Sequence, residues 1–286
     1  VPAELLPEVE PTSHVFGETT LFGEAIPVAS MVGDQQAALF GQAAFERTDA
    51  KNTYGTGSFL LMNTGEEPVR SEHGLLTSIA WGLGGKVEYC LEGSIFVTGA
   101  VVQWMRDELK LIGSAAESES VAAEVPDCGG VYLVPAFTGL GAPHWDMRAR
   151  GLITGLTRGS NRAHLVRAGL ESISFQCADV ARTIEADTGE AMPFLRVDGG
   201  AAANNLLMQH QADVLGIPVE RGENLESTAL GAAFLAGLAT GFWPGLDEIR
   251  KVWKLDRTFE PQWDEARRQE AVAGWQDAVR RTRSGA

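Results

Sequence analysis

One helix constrains the fold of this chain more than any other feature. Between Ala163 and Thr188, six apolar residues (Val166, Leu170, Ile173, Cys177, Val180 and Ile184) recur at alternating spacings of four and three. That period places them in one continuous stripe on a helix. A stripe so long needs a sheet to cover, and strand patterns lie upstream of it. Val28–Gly33 reads as a short buried strand ending in glycine, and Asp34–Gly41 as a short capped helix. Lys51–Asn63 reads as strand, tight Gly-Thr-Gly turn, strand, with further strands over Leu76–Trp81 and Val87–Leu91. A helix is expected over Val97–Leu111. The apolar, Gly- and Pro-rich stretch from Val131 to Gly151 reads as a packed loop, a kind of segment that often carries function. Phe194–Val197 reads as a strand, and Asn204–Leu215, Thr228–Leu238, Glu248–Val252 and Asp264–Arg281 as helices. Strands first, then helix and strand in alternation, predict an α/β fold with a mixed sheet flanked by helices.

Residues 1–27 contain Pro2, Pro7, Pro11 and Pro27 and no sustained period, so they read as a connecting segment. One compact domain is expected over residues 28–286, with residues 1–27 less well anchored. Val1 is not a methionine, and the expectation is a chain that begins partway through something longer.

Charge narrows the function classes. With 38 acidic and 23 basic residues, the formal net charge is −15. Nucleic acid and anionic membrane surfaces are therefore not expected partners. A phosphorylated ligand remains compatible, because backbone N–H groups hold phosphate without a cation. Cys90, Cys128 and Cys177 are too far apart in sequence for a disulfide framework or a metal cluster and read as idle thiols. The five histidines show no metal spacing either. With no apolar run of spanning length and no signal-peptide pattern, a cytoplasmic protein is expected.

Three short motifs could carry chemistry, and each has a plain structural reading beside the functional one. In Gly33-Asp34-Gln35-Gln36, Asp34 could cap a helix. It could equally be a carboxylate at a strand end that takes a proton from a substrate hydroxyl, with the glutamines binding neighbouring hydroxyls. In Tyr54-Gly55-Thr56-Gly57-Ser58, the glycines could serve only a hairpin turn, or the turn could bring backbone amides and the Thr56 hydroxyl to a phosphate. In Val197-Asp198-Gly199-Gly200-Ala-Ala-Ala-Asn204, a strand runs through two glycines into a helix, which suits either a tight connection or a nucleotide site. Thr228-Ala-Leu-Gly-Ala-Ala233 reads mainly as a close helix-packing surface.

In this order the three motifs resemble the FGGY carbohydrate kinases, and within them the branch that phosphorylates glycerol. Pro135-Ala-Phe-Thr-Gly-Leu-Gly-Ala-Pro143, Gly155-Leu-Thr-Arg-Gly159 and Thr228–Ala233 extend the resemblance over nearly the whole chain. It implies a ribonuclease H-like, actin-like ATPase domain, the C-terminal half of a two-domain enzyme that closes over a cleft. Its reaction would move the γ-phosphate of ATP, with Mg²⁺, to a primary hydroxyl of glycerol. By the family's pattern, Asp34 would be the general base and contact substrate, Gln35 would bind a glycerol hydroxyl, and Phe59 would line the pocket. Thr56 would touch the ATP phosphates, Gly99 and Gln103 would lie by the nucleotide, and Gly200 and Asn204 would hold its adenosine end. No metal ligand is assigned in this chain, since the N-terminal domain would supply the Mg²⁺ carboxylate. Residues 1–27 would be the last stretch of that domain. Ala25 stands where some bacterial members place an Arg that binds fructose 1,6-bisphosphate, which puts that regulation in doubt. A homo-oligomer is left open. The competing readings are a kinase of another sugar or polyol, and a non-catalytic actin-like nucleotide-binding module, which would need neither Asp34 nor Gln35.

Overall fold

A computed structural model describes residues 2–285. The strands are β1 (Ser13–Thr19), β2 (Ile26–Ser30), β3 (Ala50–Tyr54), β4 (Ser58–Gly65), β5 (Leu76–Leu83), β6 (Lys86–Ile95), β7 (Tyr132–Val134), β8 (Leu152–Thr154), β9 (Leu195–Asp198), β10 (Val219–Gly222) and β11 (Leu255–Phe259). The helices are α1 (Asp34–Gly41), α2 (Gly99–Asp107), α3 (Glu117–Ala122), α4 (Arg162–Thr188), α5 (Asn205–Leu215), α6 (Ser227–Ala239), α7 (Leu246–Val252) and α8 (Glu265–Thr282).

Seven strands form a mixed sheet in the order β11-β10-β9-β3-β4-β6-β5. Only the β10–β9 and β9–β3 pairs are parallel. Helices cover both faces, and the alternation of side chains along β4 shows how. Leu60 and Met62 point into a core shared with α2, α4 and α5, while Leu61 points the other way, against Phe40 of α1, Phe234 of α6 and Ile249 of α7. Burial on both faces is why residues 59–62 of β4 form an unbroken apolar run.

The long helix forms as the stripe predicts. All six stripe residues lie in the core between α4 and the sheet. Asn161 caps its start by accepting from the backbone N–H groups of Ala163 (2.9 Å) and His164 (3.3 Å), and Gly189 ends it at φ +71°. The opposite face is also covered. Phe175 and Ala178 meet Val134, Trp275 and Ala278, with Phe175 and Trp275 stacked at 5.3 Å. A helix buried on two sides shows a diluted amphipathic pattern, so the second contact face is not readable from spacing.

Several expectations need correction. The strand expected at Val28–Gly33 is β2, offset to Ile26–Ser30, and only Ala29 of it is buried. It pairs with β1, a strand whose sequence carries no clean alternation, and outside the main sheet. The boundary expected after residue 27 thus falls inside β2. The hairpin is held by Ser13 Oγ donating to Leu235 O (2.7 Å) and Ser30 Oγ donating to Ala232 O (2.9 Å). The helix expected over Val97–Leu111 is the shorter α2, ended where Lys110 takes φ +55°. The loop expected over Val131–Gly151 contains β7, which pairs with β8. The pattern reading found none of α3, β10 or β11.

The small-residue run Thr228–Ala233 lies on α6 where it crosses α1. A Cβ on Gly231 would sit 1.8 Å from Ala37 O, and one on Gly41 would sit 2.0 Å from Ser227 O. The cysteines are free, with Cys90 and Cys177 buried. Burial pushes all three thiols up to about 12, which keeps them protonated and inert.

This packing sets an order of proteolysis. Residues 4–11 are exposed throughout, and Leu21 and Phe22 at the hairpin tip are 87% and 81% exposed. The first cleavages are expected there, with α4 cut last. Mass spectrometry of early digestion products checks this, and a first cut inside Arg162–Thr188 would contradict the packing.

Candidate functional site

Two turns meet because two strands run parallel. Thr53 of β3 stands opposite Asp198 of β9, so the chain leaves both strands at the same sheet edge. Such carboxyl-end crevices are where open α/β sheets bind ligands. The turns touch. Gly199 has φ +83°, and a Cβ there would lie 2.4 Å from Tyr54 O, which only glycine avoids.

The Gly55-Thr56-Gly57 turn is also fixed from the other side. Thr98 N–H donates to Thr56 O (3.0 Å), Gly99 N–H to Gly55 O (3.0 Å), and the Thr98 hydroxyl to Gly55 O (3.1 Å). These bonds seat the N-terminus of α2 against the turn. A cavity of about 450 Å³ opens between the turns, lined by Thr56, Gly99, Gln103, Gly200 and Asn204 together with Ser118 of α3. The N-termini of α2 and α5 both bound it, and helix N-termini favour negative charge.

Asn204 has a structural task as well. Its Oδ1 accepts from Leu207 N–H at 2.9 Å and caps α5, leaving the amide nitrogen 3.4 Å from Ser118 Oγ. A larger surface hollow, of about 790 Å³, lies between Trp145–Arg148 and the end of α8, and none of the expected site residues line it.

Asp34, Gln35 and Phe59 do not line the 450 Å³ cavity. The helix cap is Gly33, with no side-chain bond, so Asp34 is the first residue of α1 rather than its cap. Its exposed carboxylate accepts only the neighbouring Gln35 N–H, at 2.9 Å. Gln35 and Phe59 are joined through Lys51 of β3, whose Nζ donates to Gln35 Oε1 (2.8 Å), Thr53 Oγ1 (2.9 Å) and Phe59 O (3.3 Å).

Lys51 is wholly buried. Burial lowers its pKa to about 8, against the opposing pull of Asp198, Glu92, Cys90 and Asp34. Asp198 is buried too, with no hydrogen-bond partner of good geometry, and burial raises its pKa. Sequence reasoning assigned neither residue a role. A signal was present: Lys51-Asn52-Thr53 is an all-polar run inside what must be a central strand.

Among the described residues, no group of three or more His, Cys, Asp or Glu side chains could hold a metal ion. No helix among them is long and apolar enough to cross a membrane.

Comparison with known proteins bears directly on this arrangement. The sequence model of the FGGY family of carbohydrate kinases, C-terminal domain, matches residues 50–240. A glycerol kinase of Carboxydothermus hydrogenoformans is 62% identical over 286 residues, covering 99% of this chain and 57% of that protein. One from Symbiobacterium thermophilum is 60% identical, covering 100% of this chain and 58% of that protein. The chain therefore spans a little over half the length of the curated relatives it matches. Among solved structures, Plasmodium falciparum glycerol kinase with ADP superposes at TM-score 0.91 with 39% identity, over 98% of this chain and 56% of that one. Xylulose kinase from Rhodospirillum rubrum superposes at TM-score 0.80 over 98% of this chain and 57% of that one, and at 23% identity it shows the fold alone. The fold is the actin-like ATPase fold of these kinases, a mixed sheet flanked by helices. Because the family's C-terminal domain model matches residues 50–240, well over half of the chain, this chain belongs to the FGGY family of carbohydrate kinases.

Proposed function

We propose that this chain is the C-terminal, nucleotide-binding half of an ATP-dependent glycerol kinase. The observation that carries the reading is the double use of one hairpin. The β3–β4 turn presents Thr56 to the 450 Å³ cavity, while the strands beside it carry Phe59 and, through Lys51, hold Gln35 next to Asp34. One rigid element thus serves a nucleotide site and an acceptor site. The relatives at about 60% identity support glycerol as acceptor, and the ADP named with the Plasmodium structure supports an adenine nucleotide in the cavity.

In this reading Gly200 and Asn204 border the adenosine end of the nucleotide, Gly99 and Gln103 lie along it, and Thr56 donates to its phosphates. Asp34 accepts the proton of the glycerol hydroxyl as that oxygen bonds to the γ-phosphorus and the bond to the ADP oxygen breaks. Phosphoryl transfer depends mostly on positioning and charge stabilisation, and the base adds typically ~10² to 10⁴-fold. Mg²⁺ bound with ATP would neutralise phosphate charge. By the family resemblance, a carboxylate of an N-terminal domain would help to hold it, with phosphates and waters filling the remaining positions. The exposed apolar run Leu5, Leu6, Val9, Val15, Ile26, Val28 and Met31 would lie against that domain.

The isolated chain is expected to bind nucleotide and to leave glycerol unphosphorylated, because half a cleft lacks proximity and charge stabilisation. ADP at ten times its Kd should stabilise it by about 1.4 kcal/mol, a melting shift of roughly 2–3 °C. Gly200→Phe should abolish that shift, since a Cβ there meets nothing within 4 Å and the ring would occupy the cavity. Fusing the chain behind the N-terminal part of the Carboxydothermus relative should produce glycerol phosphorylation in preference to xylulose. A fusion that hydrolyses ATP without any polyol acceptor would refute the kinase reading.

A further inference from the structure

Lys51 is a charged residue at the centre of the main sheet with no place in the reaction described above. A buried ammonium is costly unless every proton finds an acceptor. Here all three do, at Gln35 Oε1, Thr53 Oγ1 and Phe59 O. The consequences follow from donor and acceptor inventory alone. An ammonium only donates. The Gln35 oxygen must therefore face Lys51, and its NH₂ group must face away. Thr53 Oγ1 accepts from Lys51 as well, which completes the set of three acceptors.

We propose that Lys51 is a positioning residue: it orients the Gln35 NH₂ group as a donor toward an acceptor hydroxyl beside Asp34. This rests on the proposed glycerol kinase reading. Lys51 touches neither ligand, and its effect on specificity runs through Gln35. Burial lowers Lys51 only to about 8, so the ammonium is charged at neutral pH. The carboxylates and thiol around it are Asp34 on α1, Cys90 and Glu92 on β6, and Asp198 on β9.

The test separates positioning from plain support. In the fused enzyme, wild type should favour glycerol over 1,2-propanediol or 1,3-propanediol, whichever lacks the hydroxyl read by Gln35. Lys51→Met should lower that discrimination about tenfold, the size of one well-placed hydrogen bond. Gln35→Glu keeps an acceptor for Lys51 and removes the outward donor, so it should lose the same discrimination with the fold kept. The double variant should lose no more than either single one. In the isolated chain, Lys51→Met should move the Gln35 side-chain amide resonances. A structural role alone would lower turnover on all acceptors alike and leave discrimination intact, which would overturn the proposal. If Lys51→Met does not fold, Gln35→Glu decides by the same criterion. A wild-type fusion with no glycerol phosphorylation would refute the functional reading instead. The amide resonances would then decide the positioning claim, and unmoved resonances would overturn it.

Discussion

Asp34→Asn in the fused enzyme should lower glycerol turnover by ~10² or more while leaving the melting temperature almost unchanged. The two halves of this expectation have separate causes. Asp34 is exposed and accepts one hydrogen bond, from the adjacent Gln35 N–H, and an Asn oxygen accepts the same bond. Gly33 caps α1, so no capping energy is at stake. The amide loses only a negative charge in the first turn, worth ~0.3–1 kcal/mol at an exposed helix start. It also cannot take a proton from a hydroxyl, so the chemical step loses its base while substrate binding is nearly kept. Turnover, glycerol and ATP affinity, and melting temperature should be measured on the same preparation. Near-normal turnover in a stable, ligand-binding variant would remove Asp34 from the mechanism.

Gly231→Ala is expected to be strongly destabilising. Its Cβ would sit 1.8 Å from Ala37 O and 2.8 Å from Gly41 N, and both are backbone atoms in α1. No side chain can swing aside to make room. The helices must part, and that unpacks Phe40 from Phe234 and Leu235 across the second core. Overpacking costs typically 1–3 kcal/mol, more where backbone must move, so about 3 kcal/mol is expected, with a melting drop of roughly 5 °C. Moving α1 also moves Asp34 and Gln35 at its start, so glycerol turnover should fall more than the nucleotide-dependent melting shift. Thermal denaturation by circular dichroism, with and without ADP, measures the stability and the nucleotide shift, and a kinase assay on the fused enzyme measures turnover. An unchanged melting temperature would mean that α1 and α6 do not cross at these glycines.

The order of elements was legible because it depends on local pattern. The stripe on α4, the Gly-Thr-Gly hairpin and the two-glycine turn after β9 all follow from spacing and backbone conformation within a dozen residues or so. The residues that meet at the cavity, from Thr56 to Asn204, were named only through the family resemblance, because each motif taken alone fits a plain turn as well. What stayed hidden depends on partners distant in sequence. β1 pairs with the nearby β2, but the hairpin is docked by Ser13 donating to the Leu235 carbonyl, 222 residues later. The second buried face of α4 exists because α8 and β7 return to cover it. Lys51 read as one more polar residue in a strand, since a lysine's role depends on its burial and on which acceptors surround it. Sequence by itself determined the α/β class, the family resemblance and the groups that could do chemistry. Only the tertiary structure decided that Gln35, Thr53 and Phe59 share one ammonium, because a charge becomes an organising group only where the fold removes it from water.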